Sequence, residues 1–325
     1  MKVSVIMPVY NAACFVHEAV ESALQQPETD EVLLVEDGST DTSLEICRKL
    51  AQEHEAVRLL LHDDSGNHGQ SASRNVGIRE AQCNFVSFLD ADDWYLAGRF
   101  DAARELLEHD QDIDGVYEAV AIAFESDDDR ETWHEHNAGS MHTLTERLEP
   151  CELFEALVKD RCGYIHLNGL VIRAHIARDL GMFNEHLSIS GEDTEMCVRL
   201  AAAATLMPGR LDEAVAVRRR HSGSVMTSDR WQRARRTEHF RLWRELFCWG
   251  VDRRLSQRQL DLLADAYLFQ GHRGGGNSGA FVRLMDRGQV ICSVAARHPP
   301  SLRESYFWRH AKSALFGETS GPYLR

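Results

Sequence analysis

The sequence predicts an α/β fold in which a doubly wound, mostly parallel sheet precedes a helical C-terminal region. Short apolar runs alternate with amphipathic segments over roughly the first ninety residues, as in successive β–α units. Several of the apolar runs end in polar turns, which the topology places on one edge of the sheet. A length of 325 residues with 43% hydrophobic residues suits one large α/β domain with an appendix.

The alternation of strands and helices is regular up to Leu89. Apolar residues recur at helical spacing between runs that are short enough for buried strands. The predicted strands are Val3–Met7, Val32–Val35, Val57–Leu61 and Phe85–Leu89, and the predicted helices are Phe15–Leu24, Thr42–His54 and Gln70–Ala81.

Beyond Trp94 the pattern loosens, although further elements are recognisable. The acidic, His-rich stretch Glu125–Thr145 lacks periodicity and is predicted to be a loop. The other predictions are helices Ala97–His109, Cys151–Val158 and Thr194–Ala204, strands Gly115–Phe124, Gly169–Arg173 and Ala214–Val217, and helical structure from Asp229 with a break at Gly274–Gly276.

Charge and cysteine usage exclude several classes of protein. The formal net charge is −15, which argues against a general nucleic-acid binder. The eight cysteines are scattered without a CxxC pair, so a zinc site is not expected and a cytoplasmic location is favoured. The sequence has no apolar run long enough to span a bilayer, so any membrane contact is expected to be peripheral, at the inner face.

Three carboxylates follow the predicted strand Phe85–Leu89, in the stretch FVSFLDADDW. Ligands of open α/β sheets bind at the carboxyl ends of strands. Asp90 and Asp92 could share a hard divalent cation that in turn holds phosphate. The alternative is a polar turn in which Asp93 caps the next helix.

Six ordered motifs resemble those of the inverting glycosyltransferases of family 2, which have the GT-A fold. Each motif is weak alone, but the ordered set over about 220 residues is specific. The motifs are SVIMPVYN at Ser4–Asn11, VEDGSTD at Val35–Asp41, GQSASRNVGI at Gly69–Ile78, FLDADD at Phe88–Asp93, GEDTEMCVRL at Gly191–Leu200 and RRHSGSV at Arg219–Val225.

The resemblance implies a nucleotide-diphosphate sugar donor, usually UDP-linked, and Mn²⁺ or Mg²⁺. It implies displacement at the anomeric carbon, with inversion, by a hydroxyl of a glycan, lipid-linked or protein acceptor. Residues 1–228 would form the GT-A domain, with a nucleotide-sugar-binding half at 1–94 and an acceptor-side half at 95–228. Residues 229–325 would form a helical C-terminal region.

On the donor side, the resemblance assigns six contact positions besides the metal motif. Asp37 would accept the N3–H of uracil, although Glu36 replaces an aspartate that is common in the family. A solvated helix face is the alternative for Arg74. The donor-binding positions implied are Pro8, Val9, Tyr10, Asp37, Arg74 and Asn75, together with Asp90, Ala91 and Asp92.

The resemblance also implies metal ligands and a catalytic base. Asp92 would ligate the metal, and Asp90 would hold ribose or a metal-bound water. His221 would add a metal or diphosphate contact, unless it is an ordinary surface or core histidine. Asp193 would be the general base, or merely the N-cap of its helix. Glu192, and Trp94 beside the metal motif, would orient the acceptor or support the site.

The sequence argues against two alternative functions and leaves a third open. A sugar-1-phosphate nucleotidyltransferase would need a Gly-rich basic loop after the first strand, where the chain has Pro8–Asn11. An EF-hand would need a glycine and a distal glutamate that are missing here. A third alternative is an inactive domain that serves as a sugar-nucleotide-binding scaffold or sensor. Finally, the Arg-rich Trp231–Trp249 is either a packed helix or an interfacial helix near anionic lipid.

Overall fold

The computed structural model describes residues 1–125, 130, 141–187, 191–221 and 229–269, and in 229–240 and 268–269 it describes the backbone alone. Its strands are β1 (Val3–Val9), β2 (Thr29–Glu36), β3 (Val57–Leu61), β4 (Phe85–Phe88), β5 (Trp94–Tyr95), β6 (Gly115–Tyr117), β7 (Ala119–Phe124), β8 (Met141–His142), β9 (Leu170–Arg173), β10 (Leu206–Pro208) and β11 (Ala214–Arg220). Its helices are α1 (Val16–Leu24), α2 (Ser43–Glu53), α3 (Gln70–Glu80), α4 (Asp101–His109), α5 (Pro150–Lys159), α6 (Ala174–Asp179), α7 (Glu192–Ala203), α8 (Asp229–Asp252) and α9 (Gln257–Phe269).

The main sheet is mixed but mostly parallel, and helices cover both faces. Its seven described strands lie in the order β10-β6-β9-β4-β1-β2-β3, and only β9 runs antiparallel to its neighbours. Successive β1 residues face opposite cores: Ile6 packs towards α3 and α7, whereas Val5 and Met7 pack towards α1, α2 and α4. This two-sided burial explains the continuous apolar runs of the first strands and confirms the predicted doubly wound sheet.

A smaller sheet divides the predicted strand Gly115–Phe124. That prediction is wrong because the segment breaks at Glu118: β6 joins the main sheet, whereas β7 joins the second sheet, of order β5-β11-β7-β8. Glu118 is fully buried and forms an ion pair with Arg99, 2.9 Å between the carboxylate and guanidinium. The second sheet carries β11, whose end at Arg220 precedes His221.

The described part of the C-terminal region packs on the main domain. Leu242, Trp243, Leu246 and Phe247 of α8 are buried in the same core as α5 and α7. The bulk of the apolar face that the sequence grouped in Trp231–Trp249 is therefore covered by the protein. The side chains of Trp231 and Phe240, and residues 270–325 with Gly274–Gly276, lie outside the described residues.

Other boundaries also differ from the sequence predictions. The helix predicted from Ala97 begins at Asp101, and the predicted strand Ala214–Val217 extends to Arg220. The helix predicted from Thr194 begins at Glu192, after Gly191, so Asp193 lies in its first turn rather than at the N-cap. Most of the predicted loop Glu125–Thr145 lies outside the described residues, although Met141–His142 forms β8.

Candidate active site

Asp37 organises the loop that follows β3. Its carboxylate accepts N–H groups from His68 (2.7 Å), Gly69 (2.9 Å) and the Asn67 side chain (3.1 Å). Gly38 lies against this loop at φ +69°, and a Cβ there would meet Gly66 and Asn67 backbone atoms at 2.8 Å. The end of β2 is therefore locked to the loop that would surround a bound nucleoside.

The end of β1 borders the same loop. Asp37 N–H donates to Val9 O at 2.9 Å, which joins the two strand ends. Pro8 and Val9 are buried, whereas Tyr10 is 49% exposed. Tyr10 is thus the member of this trio whose side chain is open to a ligand.

Arg74 connects the metal motif to the start of α7. Its guanidinium lies 2.8 Å from Asp90 Oδ1 and 3.4 Å from Glu192 Oε1, and its side chain is 3% exposed. Burial opposes its charge, but Asp90 and Glu192 raise the pKa of Arg74. The alternative of a solvated helix face is therefore wrong, and Asp90 and Glu192 are held within one ion-pair network.

Asn75 does not share this role. Its amide group donates to Phe183 O (2.9 Å) and Glu185 (2.8 Å) and accepts from Phe183 N (2.8 Å). Both amide N–H groups are therefore committed to the 183–185 segment, which precedes α7. The sequence predicts a nucleotide contact for Asn75, whereas in the structure its side chain holds the 183–185 segment.

Asp92 meets His221 across the boundary between the two sheets. Asp92 Oδ2 and His221 Nε2 lie 3.2 Å apart, and this hydrogen bond raises the pKa of His221. Their side chains are 33% and 14% exposed, so the pair borders solvent without being fully hydrated. One carboxylate oxygen and one imidazole nitrogen are a donor set that suits Mn²⁺ and related divalent ions.

Arg219 supports this pair from β11. Its guanidinium lies 4.6 Å from the Trp94 ring centroid and 5.1 Å from that of Phe15, and its Nε donates to Asp92 O at 3.0 Å. Phe15 in turn contacts the His221 ring, with centroids 4.8 Å apart. Trp94 thus contacts Arg219, and its role as a support of the site stays a prediction.

A second group of ligand-type atoms lies nearby but is occupied by hydrogen bonds. Asp90, Asp93 and His166 offer atoms within 4.8 Å of one another. Both Asp93 oxygens accept N–H groups, from Asn168 (2.6 Å) and Arg219 (2.7 Å), and His166 Nδ1 accepts Asn168 N–H (3.2 Å). Burial lowers the pKa of His166, so the ring is neutral and its proton lies on Nε2. The residues that fit a divalent ion are accordingly Asp92 and His221.

The predicted helix cap at Asp93 is wrong. Asp93 is followed by β5 and is 3% exposed, and its carboxylate binds groups 75 and 126 residues away in sequence. Burial, followed by the charges of Asp92 and Asp90, raises the pKa of Asp93. The two N–H donors offset part of that desolvation penalty.

Asp193 and Glu192 occupy the first turn of α7, close to the metal motif through Arg74. Asp193 is half-buried, and its Oδ1 accepts Thr194 N–H at 2.7 Å. Burial, followed by the charge of Asp193, raises the pKa of Glu192 to about 7. Asp193 thus belongs to an element separate from the Asp92–His221 pair, as a base on the acceptor side requires.

Sequence reasoning missed two residues of this neighbourhood, Asn168 and His166, and it gave Arg219 of the RRHSGSV motif no individual role. Asn168 and His166 interrupt the apolar stretch Ile165–Ile172, and polar side chains within such a run are a sign of buried hydrogen bonding. Nothing in the local sequence identifies the partners of the Asn168 side chain, which are Asp90 and Asp93 of the metal motif.

Comparison with known proteins gives this arrangement a family. Residues 4–163 match the sequence profile of glycosyl transferase family 2. These residues belong to glycosyl transferase family 2. The family 2 segment contains β1 to α5 and therefore carries Asp37, Arg74 and the Asp90–Asp92 motif, while α7 and His221 lie beyond it.

The curated relatives of this chain include proteins named as glycosyltransferases. An uncharacterized glycosyltransferase of Haemophilus influenzae is 40% identical over 93 residues, which are 28% of this chain and 36% of that protein. The minor teichoic acid biosynthesis protein GgaB of Bacillus subtilis is 36% identical over 125 residues, 37% of this chain and 13% of that protein. The matches thus span about a third or less of the length of these relatives.

Solved structures confirm the GT-A fold. Residues 1–349 of S. aureus TarS in complex with UDP-GlcNAc superimpose with a TM-score of 0.66 at 18% identity, covering 100% of this chain and 93% of that one. The mannosyltransferase PcManGT of Pyrobaculum calidifontis, in complex with GDP-Man and Mn²⁺, gives 0.51 at 17% identity, covering 98% and 88%. Within the described part of the chain, no helix is both long and apolar enough to cross a membrane.

Proposed function

We propose that this glycosyltransferase transfers a sugar from a UDP-sugar to an acceptor hydroxyl with inversion, in a metal-dependent direct displacement. The observation that carries the proposal is the convergence of Asp92 and His221 to 3.2 Å, beside the Asp90–Arg74–Glu192 network. The UDP-GlcNAc complex of TarS and the Mn²⁺ complex of PcManGT support this donor and this kind of ion.

The strand ends would bind the nucleotide. The loop 66–69 and Tyr10 flank the ends of β1 and β2, where the base and ribose would lie. Asp37 keeps its loop in place and would accept the uracil N3–H. Asp90 would reach the ribose while Arg74 neutralises part of its charge.

A divalent cation held by Asp92 and His221 would neutralise the charge that develops on the departing diphosphate. The protein's own groups would orient the reactants. Arg219 holds the backbone of Asp92 and thereby fixes the carboxylate relative to His221. Such positioning brings the acceptor and the anomeric carbon into line before reaction.

Asp193 would remove the proton of the attacking hydroxyl. A glycan, lipid-linked or protein hydroxyl is a poor nucleophile until a positioned base accepts its proton. Asp193 lies on α7, an element separate from the Asp92–His221 pair, which allows attack from the face opposite the diphosphate. Glu192, paired with Arg74, would orient the acceptor and hold the start of α7.

A thermal-shift screen of nucleotides with and without Mn²⁺ tests the donor class. UDP and UDP-sugars should raise the melting temperature, since at about 100 times Kd a ligand adds about 2.7 kcal/mol of stability. Turnover of a bound UDP-sugar, followed by proton NMR of the new anomeric centre, then tests the inversion. Binding without turnover towards any acceptor would favour the alternative of a sugar-nucleotide sensor.

A further inference from the structure

A buried chain of hydrogen bonds joins three segments behind the Asp92–His221 pair. Asn168 lies in the 3₁₀ turn Leu167–Gly169, and its side chain is fully buried. Asn168 Oδ1 accepts Asp90 N–H at 3.3 Å, and Asn168 Nδ2 donates to Asp93 Oδ2 at 2.6 Å. Asp93 Oδ1 accepts Arg219 N–H at 2.7 Å. These hydrogen bonds therefore connect the metal motif, through the turn, to β11, whose end precedes His221.

The turn that presents Asn168 is itself firmly held. The backbone carbonyl of Asn168 accepts a hydrogen bond from Arg99 Nε at 3.0 Å, and its backbone N–H donates to His166 Nδ1 at 3.2 Å. Gly169 packs so closely on the backbone that a Cβ would lie 2.2 Å from Glu118 O. Because the backbone of Asn168 is held in this way, its side chain fixes the positions of both Asp90 and Asp93.

We propose that Asn168 and Asp93 are positioning residues that hold the Asp90–Asp92 loop and His221 at the separation needed to bind a divalent cation together. The inference rests on the proposed function, because it concerns the cation that this function requires. Neither residue is a ligand in this account, since their polar atoms are used within the chain of hydrogen bonds. Residues behind metal ligands typically change metal affinity by about 10–100-fold when mutated.

Each hydrogen bond in this series has a defined donor and acceptor, and exchanging donor and acceptor groups gives a specific test. In Asp93→Asn one acceptor becomes a donor, which would face either Arg219 N–H or the Asn168 amide. In Asn168→Asp a second carboxylate would face Asp93. The exchanged double variant, Asp93→Asn with Asn168→Asp, restores a donor opposite an acceptor at every link and keeps the total charge of the wild type.

The same pair separates geometry from simple electrostatics. Asp93→Asn removes a negative charge near the cation, whereas Asn168→Asp adds one. Charge alone would therefore weaken cation binding in the first variant and strengthen it in the second. A positioning role predicts weaker binding in both and recovery in the double variant.

The experiment is titration of the UDP-saturated protein with Mn²⁺, followed by the electron paramagnetic resonance signal of free Mn²⁺. Each single variant should bind Mn²⁺ about 10–100-fold more weakly, and the double variant should return to within about threefold of the wild type. Thermal unfolding is measured in parallel. The matched control is Ser4→Ala, which removes a buried 2.6 Å hydrogen bond to Glu31 and should change stability but not Mn²⁺ affinity.

The outcomes distinguish this inference from the proposed function. A wild type that binds no Mn²⁺ with UDP would overturn both. A wild type that binds Mn²⁺, with single variants that bind it equally well, would overturn the positioning role alone, as would stronger binding by Asn168→Asp. Should a single variant not fold, Asn168→Ser, which is too short to reach both partners, decides in its place: unchanged affinity would overturn the role.

Discussion

The carboxylate of Asp193 is accessible to solvent, and the local fold does not depend on it. It lies in the first turn of α7, where a negative charge contributes roughly 0.3–1 kcal/mol through the helix dipole. Within the described residues, Asp193 accepts hydrogen bonds from the adjacent Thr194, through both N–H and hydroxyl. Its chemistry can therefore be removed with little structural consequence.

We predict that Asp193→Asn lowers kcat by about 10²–10⁴-fold, because asparagine cannot accept the proton of the acceptor hydroxyl. UDP affinity should stay near the wild-type value, and stability should change by less than about 1 kcal/mol. Single-turnover rates with the identified acceptor and calorimetry with UDP measure the two effects. Glu45→Gln, in the first turn of α2 and exposed, is the matched control. Near-wild-type transfer would remove the base assignment, and lost UDP binding would move Asp193 to the donor site.

At the scale of single residues, the sequence predicted those positions whose motif is local and missed those defined by distant partners. Asp90, Asp92 and Asp37 were expected at strand ends, and the structure places them there. Asp93 followed a local capping rule in the sequence, but its partners Asn168 and Arg219 are 75 and 126 residues away. A short-range pattern contains no information about such partners.

A buried ion pair between Arg99 and Glu118 lies behind the site, at the break between β6 and β7. Arg99 and Glu118 are both fully buried, and Arg99 also binds Asn168 O while Glu118 accepts Arg210 N–H. The sequence stretch around Glu118 reads as one apolar strand, so the break between β6 and β7 could not be predicted from periodicity. The break allows the buried carboxylate of Glu118 to be paired and hydrogen-bonded between the two sheets.

We predict that Glu118→Gln lowers the unfolding free energy by roughly 3–5 kcal/mol, since it leaves the buried Arg99 charge uncompensated. Urea unfolding followed by circular dichroism measures the change. Asp30→Asn is the control, because its ion pair with Lys2 is exposed and its loss should have a much smaller effect. Equal effects of the two substitutions would show that the buried pair has no special structural weight.

The second sheet also contains a histidine whose burial makes stability depend on pH. His142 in β8 is 2% exposed, and burial, followed by the charges of His166, Arg218 and Arg220, lowers the pKa of His142 to about 2. In the unfolded chain the imidazole binds a proton near its usual pKa of about 6.5. Between these values the unfolded state binds more protons, so stability falls as the pH is lowered below about 6.5.

We predict that His142→Gln flattens the pH dependence of stability between pH 6.5 and 5. One proton of difference corresponds to a slope of up to about 1.4 kcal/mol per pH unit, which the variant should lose. Urea midpoints at several pH values provide the measurement. The exposed His109→Gln should keep the wild-type slope. A slope that His142→Gln leaves unchanged would mean that His142 does not resist protonation in the folded protein.

At the scale of the whole molecule, the described C-terminal helices share the hydrophobic core of the GT-A domain. Gly191, which precedes α7, lies so close to α8 that a Cβ would meet Leu242 at 2.8 Å. The sequence predicted helices beyond residue 228 because their apolar spacing is regular. It could not show which surface they cover, since amphipathic helices that face protein or lipid have the same pattern. Peripheral membrane contact and the division at residue 228 stay predictions.

We predict that Leu246→Ala destabilises the protein by roughly 2–5 kcal/mol, as expected for a fully buried leucine. Unfolding should remain a single transition, because α8 and α7 lie in one core. Leu61→Ala, at a leucine that is 41% exposed, is the control and should have a much smaller effect. A separate early transition for the C-terminal helices would show that they form an independent unit. Flotation with anionic vesicles at low salt tests the membrane prediction separately.

The proposed function requires that the strand ends bind a nucleoside diphosphate together with a divalent cation. Asp92 places a carboxylate where the diphosphate would lie, and Asp90 lies two residues before it, so without a cation like charges repel. The most direct measurement is calorimetry of UDP binding to the wild type and to Asp92→Asn, each with and without Mn²⁺. We predict that Mn²⁺ tightens UDP binding about tenfold or more in the wild type, equivalent to about 1.4 kcal/mol, and that Asp92→Asn loses most of this gain. Equal UDP affinity of the wild type with and without Mn²⁺ would contradict it.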